Sequence, residues 1–338
     1  MLIIRHDEVC DILRGAETAL LEIVRDTYRR HDEGATVVPH STFLRFPGDR
    51  TNRIIGLPAY VGGENGEDHV AGIKWVSSFP ANLEAGLPRA NATIILNSME
   101  TGRPEAFVEA TAISATRTAA SAAAAAELLA PPRLDGVSLI GCGVINFETL
   151  RFLAAVFPDI SEVTLFDASP QRAKEFGERV GSLLPDAEVT LAAHVGEAVA
   201  AADLLSIATT AIEPHLTLAG IRPGAVVLHI SLRDIVPETI LSARNVVDDV
   251  DHAVRERTSL HLAELSVGGR SFVHATLGGL LRATARVPED ERSPVIFSPF
   301  GLGALDIAVA RFVAAEARRR GYGVTVKDFL PRPEKTGL

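Results

Sequence analysis

The residue pattern with the clearest chemical content is a pair of glycines one residue apart, Gly141 and Gly143, inside VSLIGCGVIN. An apolar run precedes them, a helical stretch follows, and a second apolar run, EVTLF, closes on Asp167, 24 residues after Gly143. In a strand–turn–helix of this kind the first glycine permits the tight turn and the second lets backbone approach a pyrophosphate. The helix N-terminus adds unpaired N–H groups and the positive end of its dipole. Val144, Ile145 and Asn146 open that helix, with Asn146 standing where the pattern carries a third glycine. Asp167 is placed to accept both ribose hydroxyls of an adenosine and to repel the extra phosphate of NADP. The pattern therefore points to a dinucleotide, and to NAD.

Other residues could carry chemistry beside it. Lys74 lies in GIKWVSSF, where alternation puts it on one face with Gly72, Val76 and Ser78. It reads either as an edge charge or as an inward lysine held for a substrate carboxylate. Arg89 follows Gly86-Leu87-Pro88 in a loop, and Arg117 lies early in an alanine-rich helix; each is either a solvated charge or an anion ligand. Asp234 follows the strand-like LHISLRD, where a carboxylate can face a cleft and move protons at water. Ala208, Thr209 and Thr210, in SIATTA, together with Ser231 and Leu232, fall just after strands, where the backbone of a nicotinamide cofactor passes. The histidines show no H-x-x-x-H spacing and no G-x-S-x-G is present, so neither a metal nor a serine nucleophile is expected. Cys142 reads as a small buried side chain rather than a nucleophile.

The elements that must position these residues can be read from periodicity. A helical stripe over 6–33 ends at Gly34, and strand-like runs follow at 40–46, 53–61, 69–79 and 92–100. A helix spans 109–129 and stops at Pro131-Pro132. Strands then alternate with helices: 137–141, helix 144–157, 162–167, helix 170–184, 187–192, helix 195–202, 203–208, 225–231 and 245–249. Alternation of that kind implies a parallel sheet covered by helices. A last amphipathic helix covers 302–320, and 331–338 reads as a tail. The expected class is α/β: a Rossmann-type parallel-sheet domain over 129–302, and an N-terminal α+β domain over 1–128 completed by 303–338. Chemistry is expected in the cleft between the two.

The 338 residues suffice for two buried cores. A formal net charge of −10 argues against nucleic acid or an anionic membrane as the main partner. No apolar run reaches a membrane span and no signal-peptide pattern opens the chain. With two cysteines, a reducing cytoplasm is the expected location.

GIKWVSS, ATIILNSMETGRPEAFVEATAISATRTAASAAAAAELLA, VSLIGCGVINFETLRF, DLLSIATTA and SPFGLGALDIAVARFV together resemble the ornithine cyclodeaminase/mu-crystallin family, in family order. The resemblance implies a homodimer built through the N-terminal domain. It also implies Lys74 and Arg117 as ligands of the substrate carboxylate, Asp234 as the catalytic aspartate, and Gly141, Gly143 and Asp167 at NAD. Arg89 and Arg117 are carried on the cofactor side as well, and Phe300, in SPFG, on the substrate side. The chain departs from the cyclodeaminases at Ile55-Gly56-Leu57-Pro58, where they carry an acidic residue before Met-Pro, and at Ser231-Leu232-Arg233, where they carry glycines.

PHSTFLRFP, LPAYVGGE, GIKWVSSFPANLEAGLPRA, SLRDIVPE and NVVDDVDHAVRERTSLHLAE resemble one branch of the family, the dehydrogenases of 2,3-diaminopropionate biosynthesis in siderophore and peptide-antibiotic pathways. That branch oxidises N-(1-amino-1-carboxy-2-ethyl)-glutamate, supplied by a pyridoxal-phosphate-dependent synthase, and hydrolyses it to 2,3-diaminopropionate and 2-oxoglutarate. Such a substrate has three carboxylates, for which Arg45, Arg53, Arg89, Arg233 and His40 are the further candidates. The competing expectations are ketimine reduction or oxidation of a simpler amino acid, ornithine cyclisation, and a non-catalytic binding role.

Overall fold

The computed structural model describes residues 1–49, 51–63 and 69–331, so the expected tail lies, except for Pro331, outside the described residues. The chain divides into two compact units, Met1–Ala16, Glu33–Ser114 and Gly303–Leu338 in one, Glu17–Asp32 and Ala115–Leu302 in the other. No helix among the described residues is long and apolar enough to cross a membrane.

The first unit is built on an eight-stranded mixed sheet. Its centre is an antiparallel meander of Arg53–Val61, Val70–Ser78, Ala90–Asn97 and Pro104–Glu109. Leu2–Ile4 joins parallel to the last of these, and Thr42–Arg45 forms a hairpin with the first. Alternation along each strand sends Leu57, Ala59, Lys74, Ala92, Ile94, Ala106 and Val108 to one face, where all are buried. Helix Gly303–Arg320 lies on that face: a Cβ at Gly303 would stand 3.3 Å from that of Leu57, and Asp306 bonds Lys74. The close approach to Leu57 leaves no room for a longer side chain at 303.

The second unit is a sheet of eight parallel strands, in the order Glu188–Leu191, Glu162–Phe166, Gly136–Ile140, Leu204–Ile207, Val226–His229, Val295–Ser298, Arg244–Val247 and Val273–Thr276. From Gly136–Ile140 the chain steps outward twice on one side, then returns to add strands on the other. The glycine turn therefore sits at the switch point of a doubly wound sheet, where such sheets bind their ligands. All four residues of Leu204–Ile207 and of Val226–His229 are buried, as expected for strands covered on both faces.

The structure corrects several boundaries. The single helix expected over 6–33 is two, His6–Leu13 and Glu17–Asp32, because Arg14 is extended and Gly15 takes φ +71°. Glu109 ends a strand rather than opening a helix; the helix starts at Thr111, whose N–H the Glu109 carboxylate accepts at 2.7 Å. Strands Val273–Thr276 and Val295–Ser298 extend the parallel sheet beyond the expected set. Glu17–Asp32 and Ala115–Leu129 pack with the parallel sheet rather than with the first unit. Tyr28 and Ser121 share a buried hydroxyl–hydroxyl bond of 2.6 Å, and a Cβ on Gly278 would come within 2.5 Å of the Tyr28 carbonyl oxygen.

Candidate active site

In the second unit, the glycine turn shows what each glycine is for. Gly141 has φ +93°, and a Cβ there would meet the Ala208 carbonyl oxygen at 2.4 Å. At Gly143 a Cβ would meet no protein atom within 4 Å. The first glycine is thus required by the protein's own packing, whereas the second keeps open space above the helix start. Helix Val144–Val156 has no side-chain cap, and Val144 is 64% exposed, so its first N–H groups are directed at that open space.

Asn146 has a different job from the one its place in the motif implies. Its side chain is fully buried, donating to the Ile140 and Gly141 carbonyls at 2.9 and 2.7 Å and accepting from Ser206 Oγ at 2.7 Å. It thereby ties the turn to the neighbouring strand, and only its backbone faces the helix start. Asp167 accepts from the Cys142 and Ser169 N–H groups at 2.8 and 2.9 Å, which holds its carboxylate beside the turn. Burial, reinforced by the Asp167 charge, pushes the Cys142 thiol up to about 12, so it is inert.

Asp234 is reached two residues after Leu232, which adopts φ +68°, a left-handed conformation costing about 1 kcal/mol or more. That turn folds the aspartate back under the strand end. The expectation of a carboxylate open to a cleft is corrected here, because Asp234 is completely buried. Thr209 and Ser231 donate their hydroxyls to its two oxygens. Its own N–H donates to His229 Nε2 at 3.3 Å, and His229 Nδ1 lies 3.2 Å from Ser298 Oγ. His229 Nε2 also lies 3.4 Å from Asp234 Oδ2, and burial drives the histidine's pKa below its usual value although the neighbouring carboxylate raises it. Burial opposes the charge on Asp234 too, but the bonds from His229, Ser231 and Thr209 outweigh it and hold the pKa below the usual carboxylate value. Thr209 and Ser231 are themselves only half-buried, so their hydroxyls stand between the carboxylate and anything that approaches it.

Arg117 is 9% exposed, and its guanidinium is packed on Gly301, where a Cβ would come within 2.7 Å of Nη1. Gly301 has φ +96°, and its N–H and that of Phe300 donate to the buried Asp248 at 2.6 and 3.0 Å. Asp248, which sequence reasoning did not single out, thus holds the Phe300-Gly301 turn on which Arg117 rests. Arg233 turns away, donating to the Glu256 carbonyl at 2.9 Å.

In the first unit, Lys74 is 2% exposed and points inward, the second of the two readings its strand allows. Its Nζ donates to Asp306 at 2.6 Å and to Ser114 Oγ at 3.3 Å. Asp306 is also completely buried, and it was missed because 232 residues separate the two. The available signal was one carboxylate inside the apolar stretch GALDIAVA. His40 and Arg45 are exposed, Arg53 is half-buried, and Arg89 donates to Ser78 Oγ at 3.0 Å.

Residues 6–321 match the model of the ornithine cyclodeaminase/mu-crystallin family. The chain belongs to that family. Within it, the chain is 29% identical to N-((2S)-2-amino-2-carboxyethyl)-L-glutamate dehydrogenase of Staphylococcus aureus, over 90% of this chain and 92% of that protein. Among solved structures, it resembles the Delta(1)-pyrroline-2-carboxylate reductase of Thermococcus litoralis in complex with NADH and L-proline. The TM-score is 0.89 at 26% identity, over 96% of this chain and 100% of that one. An archaeal alanine dehydrogenase dimer with bound NAD gives a TM-score of 0.87 at 28% identity, over 97% and 99%.

Proposed function

We propose that the protein oxidises N-(1-amino-1-carboxy-2-ethyl)-L-glutamate with NAD and hydrolyses the product to 2,3-diaminopropionate and 2-oxoglutarate. The chain is an NAD-dependent oxidoreductase of its family; the substrate is our reading. The observation that carries it is the Staphylococcus aureus relative, which is named for this compound and covers nine-tenths of the chain. The first unit agrees with it. Ile55, on the Lys74 face, and Gly56, on the other, place no carboxylate in this strand where the cyclodeaminases carry one.

The residues present fit NAD: the open space over Gly143, the uncapped helix start and the Asp167 carboxylate suit a pyrophosphate and an adenosine ribose. NAD, when bound, accepts the hydride from the α-carbon of the glutamate half. Lys74 and Arg117 are the side chains that the family resemblance assigns to the carboxylate beside that carbon, to fix its orientation. Water then adds to the resulting carbon–nitrogen double bond, and the carbinolamine parts into ketone and amine. Asp234, ionised, takes the proton that water gives up and returns one to the departing nitrogen, with the Ser231 or Thr209 hydroxyl as the relay that its burial requires. Overall, substrate, NAD and water give 2,3-diaminopropionate, 2-oxoglutarate, NADH and a proton. The test is NADH formation at the synthetic substrate with mass detection of both products. Turnover of alanine, proline or ornithine in place of that compound would overturn the substrate and keep the fold.

The glycines separate cofactor binding from folding. Gly143→Ala is expected to melt within about 0.5 kcal/mol of the wild type, since its Cβ enters open space, yet to bind NADH at least tenfold more weakly by fluorescence titration. Gly141→Ala is expected to lose thermal stability outright, because both φ and the Ala208 oxygen oppose the new methyl.

We further propose a homodimer in a reducing cytoplasm, fed by a pyridoxal-phosphate-dependent synthase that makes the substrate from phosphoserine and glutamate. Siderophore or peptide-antibiotic assembly would consume the diaminopropionate. The sheet face opposite Lys74 supports self-association: Ile54, Tyr60, Ile73, Ile95 and Phe107 are only half-buried on it and Trp75 is 45% exposed. Light scattering is expected to give twice the chain mass for the wild type and the chain mass for Trp75→Arg.

A further inference from the structure

We infer that the Lys74 face of the first unit carries a second anion subsite, formed by Arg45, Arg53 and Arg89, for the carboxylates remote from the reacting carbon. This rests on the substrate being a polycarboxylate amino acid. The register places Arg45 opposite Arg53, and Arg53 opposite Ser78, so the three form one row across three strands. Ser78 lies four residues after Lys74 on the same strand, and period-2 alternation puts both on one face. Arg89 comes from the loop ahead of the next strand and joins the row by donating from Nη1 to Ser78 Oγ at 3.0 Å.

The covering of that face changes along its length. Helix Gly303–Arg320 closes it as far as the row of Leu57 and Lys74, where Gly303 and Asp306 make their contacts. Leu57 is 8% exposed. Past the helix start, Ile55 and Val76 are half-buried, and the arginine row follows. Three guanidinium groups thus stand where the face emerges from under the helix, beyond the inward lysine. Burial also lowers the pKa of Arg89, so an anion there would offset a charge already partly withdrawn from water.

The spacing fits a particular ligand. Lys74 and the arginine row are about 13 Å apart along the strand, and neighbouring members of the row about 4.8 Å apart across it. The carboxyl carbon beside the reacting carbon is four bonds from one remote carboxyl carbon of the substrate and five from the other, about 5–6 Å when extended on backbone dimensions. A lysine and an arginine reaching toward each other close the difference. A monocarboxylic amino acid such as alanine or proline engages one end only, so the row selects for the longer acid. Arg89 then belongs to the substrate rather than to the cofactor.

The test is the Arg45→Gln/Arg53→Gln double variant, with Arg53→Lys as the charge-retaining control. KM for the tricarboxylate substrate is expected to rise about 100-fold, tenfold for each charge-assisted contact, with kcat the lesser part of the change. Arg53→Lys is expected to recover part of the loss. Calorimetry with tricarballylate in the presence of NAD gives a readout free of turnover: the wild type binds it more tightly than propionate, and the double variant binds the two alike. A wild type that binds tricarballylate in this way but does not turn over the proposed substrate would leave the subsite standing and remove the substrate. A double variant that binds and turns over like the wild type would make the row solvated surface charge and overturn the subsite.

Discussion

Lys74→Met is expected to lower kcat/KM about ten- to hundredfold and to cost about 3–5 kcal/mol of unfolding free energy. Both effects come from one ammonium. It is 2% exposed and bonded at 2.6 Å to a carboxylate with no exposure at all, so removing it strands the Asp306 charge in the core of the first unit. The loss of rate follows from removing a charge-assisted contact to the substrate carboxylate. A stability loss of this size could by itself lower activity, so the second substitution decides the matter. In Lys74→Met/Asp306→Leu neither charge remains, and replacing a buried pair with apolar side chains is commonly neutral or stabilising. The double variant is therefore expected to regain most of the melting temperature and none of the turnover. Recovery of both would reduce Lys74 to a structural partner of Asp306 and remove it from the mechanism.

What was legible in the sequence is what depends on neighbours in the chain. Gly141, Gly143 and Asp167 lie within one strand–helix–strand unit, so turn geometry and the position of the acid follow from local spacing. Alternation also placed Lys74 on one face with Gly72, Val76 and Ser78, but left open whether that face is covered, because a strand fixes only the face that every second residue shares. What was not legible depends on distant partners. Asp306 meets Lys74 across 232 residues, and Ser298 meets His229 across 69, in strands whose adjacency is set by the winding of the sheet. Asn146 shows a subtler limit. The pattern marks its position, but only the pairing of the strand at Ser206 with the strand at Leu139 reveals that its amide is consumed in holding the turn. The division of the long N-terminal helix was missed for a local reason: the apolar stripe continues through Gly15, whose left-handed backbone interrupts the helix without interrupting the pattern.

Asp234→Asn is expected to reduce kcat by about 10²–10⁴-fold, the range for loss of a positioned proton-transfer group. The amide keeps the shape and can still accept from Ser231 or Thr209, but it cannot take a proton from either. The wild-type pH profile provides the sharper check. With its pKa held below 3.8, Asp234 stays ionised through the neutral range, so it contributes no acid limb to kcat there. A limb near pH 6 that vanished in Asp234→Asn would contradict the assignment of the lowered value. Stability gives a second, independent reading. His229 and Asp234 both have folded-state pKa values below their ordinary ones, 6.5 and 3.8, so in acid the unfolded chain binds more protons than the folded one. The contribution of His229 is present above pH 6.5 and is lost as pH falls below it; that of Asp234 is lost only below 3.8. His229→Asn should therefore flatten the first decline in melting temperature and shrink the second, because His229 is foremost among the groups that hold the Asp234 pKa down. Because His229 accepts the Asp234 N–H rather than bonding substrate, the same variant tests positioning. It is expected to lower kcat by less than Asp234→Asn does, and to leave NADH affinity at the wild-type value.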